Sequence, residues 1–452
     1  MPSLTADDLT ALRAAAPVLL PGEPGYEDAC TPWNLAISQR PAAVAEPRTV
    51  PEVSAAVRAV TALGLRIAPQ STGHGAAAVG DLDRTLLLRL HRLTGVTIDP
   101  QARTARVLGG TLWRDVVGVA AGHGLAALHG SAGDVAVAGY VLGGGLSFYG
   151  RRHGLASGSV RALEVVTASG DLLRATAQHH ADLYWAVRGG GGNFGVVVAI
   201  ELDLLPIADA VAGMLLWDQS RAPEVVRAWA QWARTAPDGV TTSLRLMRFP
   251  PLPELPPFLR GRNIVVIDGA VLGTDDGAAE LLRPLRALAP EMDTFARIPA
   301  AALIDVHMDP PVPTGAVSDH GMLDDLPEEA IAALLAVAGP QAPVAPTITE
   351  IRQLGGALAR PIDAALPYLP GAFCLMALCM APTADLAARG EQVTTRTVQA
   401  LRPWLNGRAY GNFAERATGV QALYPPHHLD RLRTVRDRYD PRRVWVASHP
   451  AA

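Results

Sequence analysis

The chain has 452 residues, of which 49% are hydrophobic and 18% charged, and it carries a net charge of −4. It is too long for one ordinary domain and too apolar for a disordered chain, and it lacks the basic stripe that nucleic acid or an anionic membrane attracts. All 39 basic residues are Arg, which excludes a P-loop, the ATP site of a protein kinase, Schiff-base chemistry and a Lys general base.

The first twenty residues carry acidic groups early and no basic run ahead of a long apolar core. They read as a short capped helix rather than a signal peptide, and the expected location is cytoplasmic. No apolar run approaches the roughly 18–20 residues of a membrane span. Three cysteines, Cys30, Cys374 and Cys379, give neither a disulfide framework nor a zinc pattern. Cys374 and Cys379, in GAFCLMALCM, read as buried thiols.

Residues 1–205 alternate short helices and strands. Thr49, Pro51 and Glu52 open a helix reaching about Leu63, with Thr as the cap and Pro and an acidic group in the first turn. LRIAPQ is a short strand that runs into the loop STGHG, and TLLLRL, GVTIDP and ARTARVLGG are further strands. TLWRDVVGVAAGHG is an amphipathic helix stopped by Gly, and ALEVVTASGDLL is a hairpin. HHADLYWAVRGGGGNFGVVVAIELDLLPI gives a short helix, a glycine turn and a long apolar strand.

Residues 206–405 change character. Four helices (APEVVRAWAQWART, DDGAAELLRPLRAL, LPEEAIAALLAV and TADLAARGEQVTTRTVQALRPWL) alternate with four strands (TTSLRLMRF, NIVVIDGAVLG, TITEIRQLGG and GAFCLMALCMA). The connections are rich in Pro, and the loop VHMDPPVP reads as a turn. This is the pattern of a helix-covered sheet. Residues 406–452 hold RAYGNF and a final helix that ends before Pro441.

The chemistry concentrates in glycine. Tracts at 143–145 and 189–192 let backbone approach a ligand closely and turn N–H groups toward phosphate. Neither fits the nicotinamide-binding fingerprint between a first strand and a helix. His74 stands between two glycines after a strand, its imidazole stripped of steric cover. The pairs His179-His180 and His427-His428 have no placed third ligand, so no metal site is expected.

Taken together and in this order, APQSTGHGA, AGYVLGGGLSFYGRRHGLA, LEVVTASGDLL, DLYWAVRGGGGNFGVV and RAYGNF…RYDP resemble the FAD-linked oxidases of the vanillyl-alcohol-oxidase fold, and more narrowly the berberine-bridge-enzyme branch. The resemblance covers about residues 30–205 and 406–445. It implies an α+β protein: a two-subdomain FAD-binding domain of the PCMH type (1–205), an α/β substrate domain on a mainly antiparallel sheet (206–405), and a C-terminal segment (406–452) that returns to the FAD domain.

By that resemblance His74 bonds covalently to the 8α carbon of the flavin. Ala132 stands where many members carry a second linking Cys, so a single link is implied, as in the 6-hydroxy-D-nicotine oxidase type. Around His74 the cofactor would meet Gln70, Ser71, Thr72, Gly73 and Gly75. Farther on it would meet Ser131, Asp134, Val135, Gly139, Tyr140, Leu142 and Gly143, Gly144 and Gly145. Gly150, His153, Gly154 and Leu155 follow, then Val196 and Val198. Tyr410 and Asn412 match the family's Y-x-N motif near the flavin, and in several members that Tyr is the base. Gln70 replaces the usual Arg beside the His loop, and Gly158-Ser159 replace a common Asp-Asn pair.

Arg352 takes the place where some relatives have a carboxylate. It could supply the positive charge that a Tyr base needs at neutral pH, allow an anionic or carbonyl-bearing substrate, or be a surface strand residue. Glu350, two residues away, would share its face and is a second candidate base. The implied activity is hydride transfer from an alcohol, amine or phenolic natural-product substrate to the flavin, with O2 as final acceptor. A non-redox cyclase or rearrangement enzyme that keeps FAD, and a dehydrogenase with another acceptor, remain alternatives.

Overall fold

The computed structural model describes residues 6–451 apart from 254 and 417, with side chains from Thr10 onward. The cap expected on the first helix lies outside the described residues; the helix itself runs over Ala6–Ala15. None of the described helices is long and apolar enough to cross a membrane.

Three sheets organise the chain. The first holds Val18–Leu19, Ala43–Ala45, Thr85–Arg89 and Arg66–Gln70 in that spatial order, its last three strands parallel. The second is antiparallel and holds Val96–Asp99, Thr104–Leu108, Val196–Asp203, Val160–Val166 and Leu172–Thr176. The expected helix over Val50–Ala62 is capped by Thr49, whose side chain accepts from the Glu52 amide, with Pro in its first turn. Val53, Val57 and Val60 fix that helix to the first sheet through Ile67, Leu86 and Leu88.

The third sheet carries eight antiparallel strands: Met292–Asp293, Asp209–Asp218, Asn263–Val271, Val240–Arg248, Ile348–Gln353, Phe373–Met380 and Ala316–Leu323 in order, with Ala296–Pro299 also pairing to Asp209–Asp218. The sequence reading passed over Asp209–Asp218 and Ala316–Leu323. The first is nearly all apolar and buried throughout its middle, so period 2 is invisible. The second, AVSDHGML, is broken by the polar residues Ser318, Asp319 and His320.

The two faces of this sheet divide the labour. Leu215, Leu244, Ile267, Ile351 and Leu375 face the helices Ala222–Thr235, Asp275–Arg286 and Glu328–Ala338 in one apolar core. Residues of opposite parity, Ser243, Arg245, Asp268, Glu350 and Arg352, lie on the other face, as strand geometry requires. The C-terminal segment comes back to the first sheet: the Ile67 amide donates to the Val444 carbonyl at 2.8 Å and the Val446 amide to the Ile67 carbonyl at 2.8 Å. The Asp440 carboxylate pins that return by accepting from the amides of Val444 and Trp445.

Candidate active site

The loop after Arg66–Gln70 needs glycine. Gly73 has φ +88°, and a Cβ there would come within 2.7 Å of the Pro32 side chain. This turn aims His74 inward. Its Nδ1 lies 2.8 Å from Thr72 Oγ1, while Nε2 is buried with no hydrogen-bond partner and stands 3.7 Å from Asp134 Oδ1. Trp33 stacks on the ring at 4.3 Å and donates its indole N–H to Asp134. Burial pushes the imidazole pKa down to about 4, against the pull of Asp134 and Asp309. A neutral ring with one free nitrogen is the result.

The first glycine tract forms a cradle with Tyr410 and Asn412. The Asn412 side-chain amide donates to the Tyr140 carbonyl at 3.0 Å and to the Tyr410 hydroxyl at 3.0 Å. A Cβ on Gly143 would fall 1.6 Å from Asn412 Oδ1, and one on Gly145, at φ +82°, would fall 2.4 Å from the Tyr140 ring. Gly144, at φ +107°, packs under Leu366. The second tract closes on the first through the Gly191 amide, which donates to the Leu142 carbonyl at 3.0 Å. By contrast nothing lies within 4 Å of a Cβ placed on Gly139, and the Tyr140 hydroxyl is buried without a partner. The cradle is closed to side chains where glycine holds the protein together and open beside Gly139.

Tyr410 is 1% exposed, and its amide donates to His320 Nε2 at 3.0 Å. Burial raises its phenol well above the ordinary range, while Asn412, Arg352 and the Gly145 amide lower it only in part. Burial also pushes His320 down to about 4.

Opposite the cradle, the polar face of the third sheet carries a buried charged cluster. Arg352 Nε donates to Glu350 Oε1 at 2.6 Å, and Arg352 Nη2 reaches Ser131 Oγ at 3.3 Å. Ser131 donates to Asp309 at 2.8 Å. Arg245 pairs with Asp268 and also donates to the His307 carbonyl at 2.7 Å. Asp268 and Glu350 are each 0% exposed, and Glu350 Oε2 has no partner. Burial would raise the Asp268 carboxyl, but Arg245 and His307 hold it far below the usual range.

Arg352 is therefore neither a surface residue nor a free anion site. Its guanidinium is already matched by Glu350, with Asp309 and Asp268 close enough to reinforce its charge against burial.

Other expected residues divide. Ser71 Oγ donates to the Gly109 carbonyl at 3.0 Å, and the Gly75 carbonyl accepts from Ser448, so the His74 loop is tied down on both sides. Gln70 exchanges two 3.0 Å amide hydrogen bonds with Gln39 beneath the loop, which occupies the side chain. The Val135 carbonyl accepts from the Trp113 amide. Val196 and Val198 bury their side chains in the core of the first sheet, leaving only backbone to offer. Leu155 packs with Tyr410, and Gly150 against Leu358. His153, Gly154 and Leu155 line a cavity of about 360 Å3 with Arg152 and Arg360. Trp33, Arg245, Asp268, His307, Asp309 and His320 escaped the sequence reading. His307 and Asp309 sit in the loop read as a turn. An imidazole and a carboxylate flanking one residue in a Pro-rich connection were the available signal.

These features suit FAD. The free His74 nitrogen, the partnerless Tyr140 hydroxyl, the space beside Gly139 and the glycine backbone together match a large polar ligand with a planar head. Residues 41–176 match the model of an FAD binding domain. The chain is 33% identical over 212 residues to (R)-6-hydroxynicotine oxidase of Paenarthrobacter nicotinovorans, covering 47% of this chain and 46% of that one. It is 28% identical over 287 residues to chitooligosaccharide oxidase of Gibberella zeae, covering 60% and 54%. The match thus spans about half the length of these curated relatives. Among solved structures, a berberine-bridge-enzyme-like protein of Physcomitrella patens superposes with a TM-score of 0.85 at 19% identity, covering 98% of this chain and 99% of that one. The 6-hydroxy-D-nicotine oxidase of Arthrobacter nicotinovorans gives 0.81 at 23%, covering 95% and 96%. The chain thus carries an FAD binding domain over residues 41–176 and shares the fold of the berberine-bridge-enzyme-like proteins.

Proposed function

We propose that the chain is an FAD-dependent oxidoreductase that oxidises an alcohol, amine or phenolic small molecule, with O2 as the final acceptor. The observation that carries this reading is the juxtaposition of the glycine cradle, closed by Asn412 and Tyr410, with the buried charged cluster around Glu350 and Arg352. The oxidase names of the relatives support it. Bound FAD would supply the hydride acceptor.

The protein's share is to hold the cofactor, orient the substrate, exclude water and take a proton. His74 Nε2 is the nitrogen free to attach the cofactor covalently, and Ala132 offers no second link. Gly143, Gly144 and Gly145 present backbone, and Asn412 fixes the Tyr410 hydroxyl. For proton removal we favour Glu350. Its Oε2 is a free acceptor, Arg352 fixes its other oxygen, and burial penalises the Tyr410 phenolate by more than Asn412 and Arg352 offset. Three carboxylates against two guanidinium groups favour neutral or cationic substrates over anionic ones. Met214, Leu216, Met247, Ile264 and Val266 form an apolar cluster on the strands that carry Arg245 and Asp268 and suit a compact apolar body.

Acid precipitation followed by anaerobic mixing with candidate amines and alcohols tests the reading. Yellow colour in the pellet, mapping to the His74 peptide, together with bleaching by substrate and peroxide on admission of air, is expected. Bleaching without peroxide would replace O2 by another acceptor. A substrate consumed without bleaching would make the chemistry non-redox.

A further inference from the structure

His307 occupies a place that packing alone does not demand. It is 2% exposed and lies among charged groups from four segments. Its Nδ1 is 2.8 Å from Asp268 Oδ2, an ion-pair distance off the ideal hydrogen-bond line. Its Nε2 is 3.2 Å from Arg352 Nη2, 3.4 Å from Glu350 Oε1 and 3.9 Å from Asp309 Oδ1. A guanidinium only donates, so Nε2 facing Arg352 must carry the lone pair and Nδ1 the proton, on the side of Asp268. Asp268 is itself held by Arg245 and Ser243. An imidazole anchored by a carboxylate on one nitrogen, with the other left as acceptor, is the arrangement that proton-handling histidines require.

Two further observations agree. Met308, between His307 and Asp309, has φ +55° and is 48% exposed, a strained conformation that turns both flanking side chains inward. The cluster also holds two guanidinium groups, Arg245 and Arg352, against three carboxylates, Asp268, Asp309 and Glu350. With a neutral imidazole its charge is −1, and one added proton makes it neutral.

We propose that Asp268 and His307 form a proton-holding pair behind Glu350: the proton that Glu350 receives from substrate passes from its carboxyl to His307 Nε2, which restores the Glu350 carboxylate and leaves an imidazolium between Asp268 and Glu350. One O–H bond breaks and one N–H bond forms, with no change in electron count. His307 acts through Glu350 and is a positioning residue. The groups whose charge bears on it are Arg245 and Asp268 from neighbouring strands, Glu350 and Arg352 from the central strand, and Asp309 from its own loop. Cys374, Tyr410 and Tyr140 lie in the field of Arg352. This inference rests on the oxidoreductase reading for its purpose but not for its test.

The test is the imidazole nitrogen spectrum of the holoenzyme labelled with 15N-histidine, from pH 5 to 9. The His307 signal is the one missing in H307Q or, should that variant not fold, the one moved by both D268N and E350Q. The expected result is the Nδ1–H tautomer at pH 8, its loss in D268N, and a displaced His307 resonance in E350Q, because the facing carboxylate is gone. The Nε2–H tautomer in the wild type, an unmoved His307 resonance in E350Q, or no signal that answers to both substitutions would overturn it. In turnover, H307Q should lower kcat about tenfold or more while KM holds, and should move the acid limb of the profile. The expected spectra without peroxide from any substrate would sink the oxidase reading and leave the pair standing. Unchanged spectra in a working oxidase would do the reverse.

Discussion

Thr72 Oγ1 lies 2.8 Å from His74 Nδ1 and so leaves Nε2 as the nitrogen without a partner. Attachment of FAD is expected through that atom. His74→Ala should bind FAD only reversibly, so acid should release all of the colour. Thr72→Val should fold but leave a mixture of linked and free flavin, because the ring loses the contact that selects its orientation. A fully linked Thr72→Val protein would show that Trp33 and Asp134 suffice.

The glycines of the cradle separate folding from cofactor binding. At Gly143 a methyl group would overlap Asn412, so Gly143→Ala should cost about 1–3 kcal/mol and detach Asn412 from Tyr410. At Gly139, within the helix Val137–Leu142, a methyl group meets nothing within 4 Å. Gly139→Ala should therefore leave the apoprotein as stable as before, or more stable by up to about 1 kcal/mol. If that space belongs to the cofactor, its FAD content should fall severalfold. Thermal melts and absorbance at the flavin band read the two effects separately.

The charged cluster should resist being opened from one side. Arg245→Met leaves Asp268 buried at 0% exposure with a missing countercharge, and a loss of about 3–5 kcal/mol is expected in urea unfolding. The exposed pair Arg283–Glu280 should be worth less than about 1 kcal/mol in the same assay.

Glu350 and Tyr410 are separated by kinetics. Glu350→Gln should lower kcat by about 10²–10⁴, the usual worth of a positioned base. Tyr410→Phe should cost about tenfold, since it removes an orienting hydroxyl. The opposite ranking would return the proton to Tyr410.

Acid stability follows from the buried imidazoles. Burial lowers His129, 1% exposed, to about 4 from an ordinary 6.5. Between these values the unfolded chain binds the proton and the folded chain does not, so stability rises with pH. It is complete above about 6.5 and is lost as pH falls toward 4, by up to about 3 kcal/mol for this residue. His74 and His320 act in the same direction. Melting temperature should fall across that window, and His129→Gln should flatten the slope by roughly one proton.

The glycine tracts, His74 between two glycines, the Tyr410–Asn412 pair and the helix-covered character of 206–405 were legible because each is local. Capping, alternation and glycine spacing act within a few residues, and a family's cofactor loops keep their order along the chain. The charged cluster was not legible in the same way. Arg245, Asp268, His307 and Arg352 come from segments about 20 to 45 residues apart, joined only by antiparallel register and by one strained turn at Met308. Two-residue spacing on one strand puts Glu350 and Arg352 on one face. Only the tertiary structure decided that this face is buried, which turned Arg352 from a free cation into a paired one. In a low-dielectric interior a charge is defined by its neighbours, and those neighbours are distant in sequence.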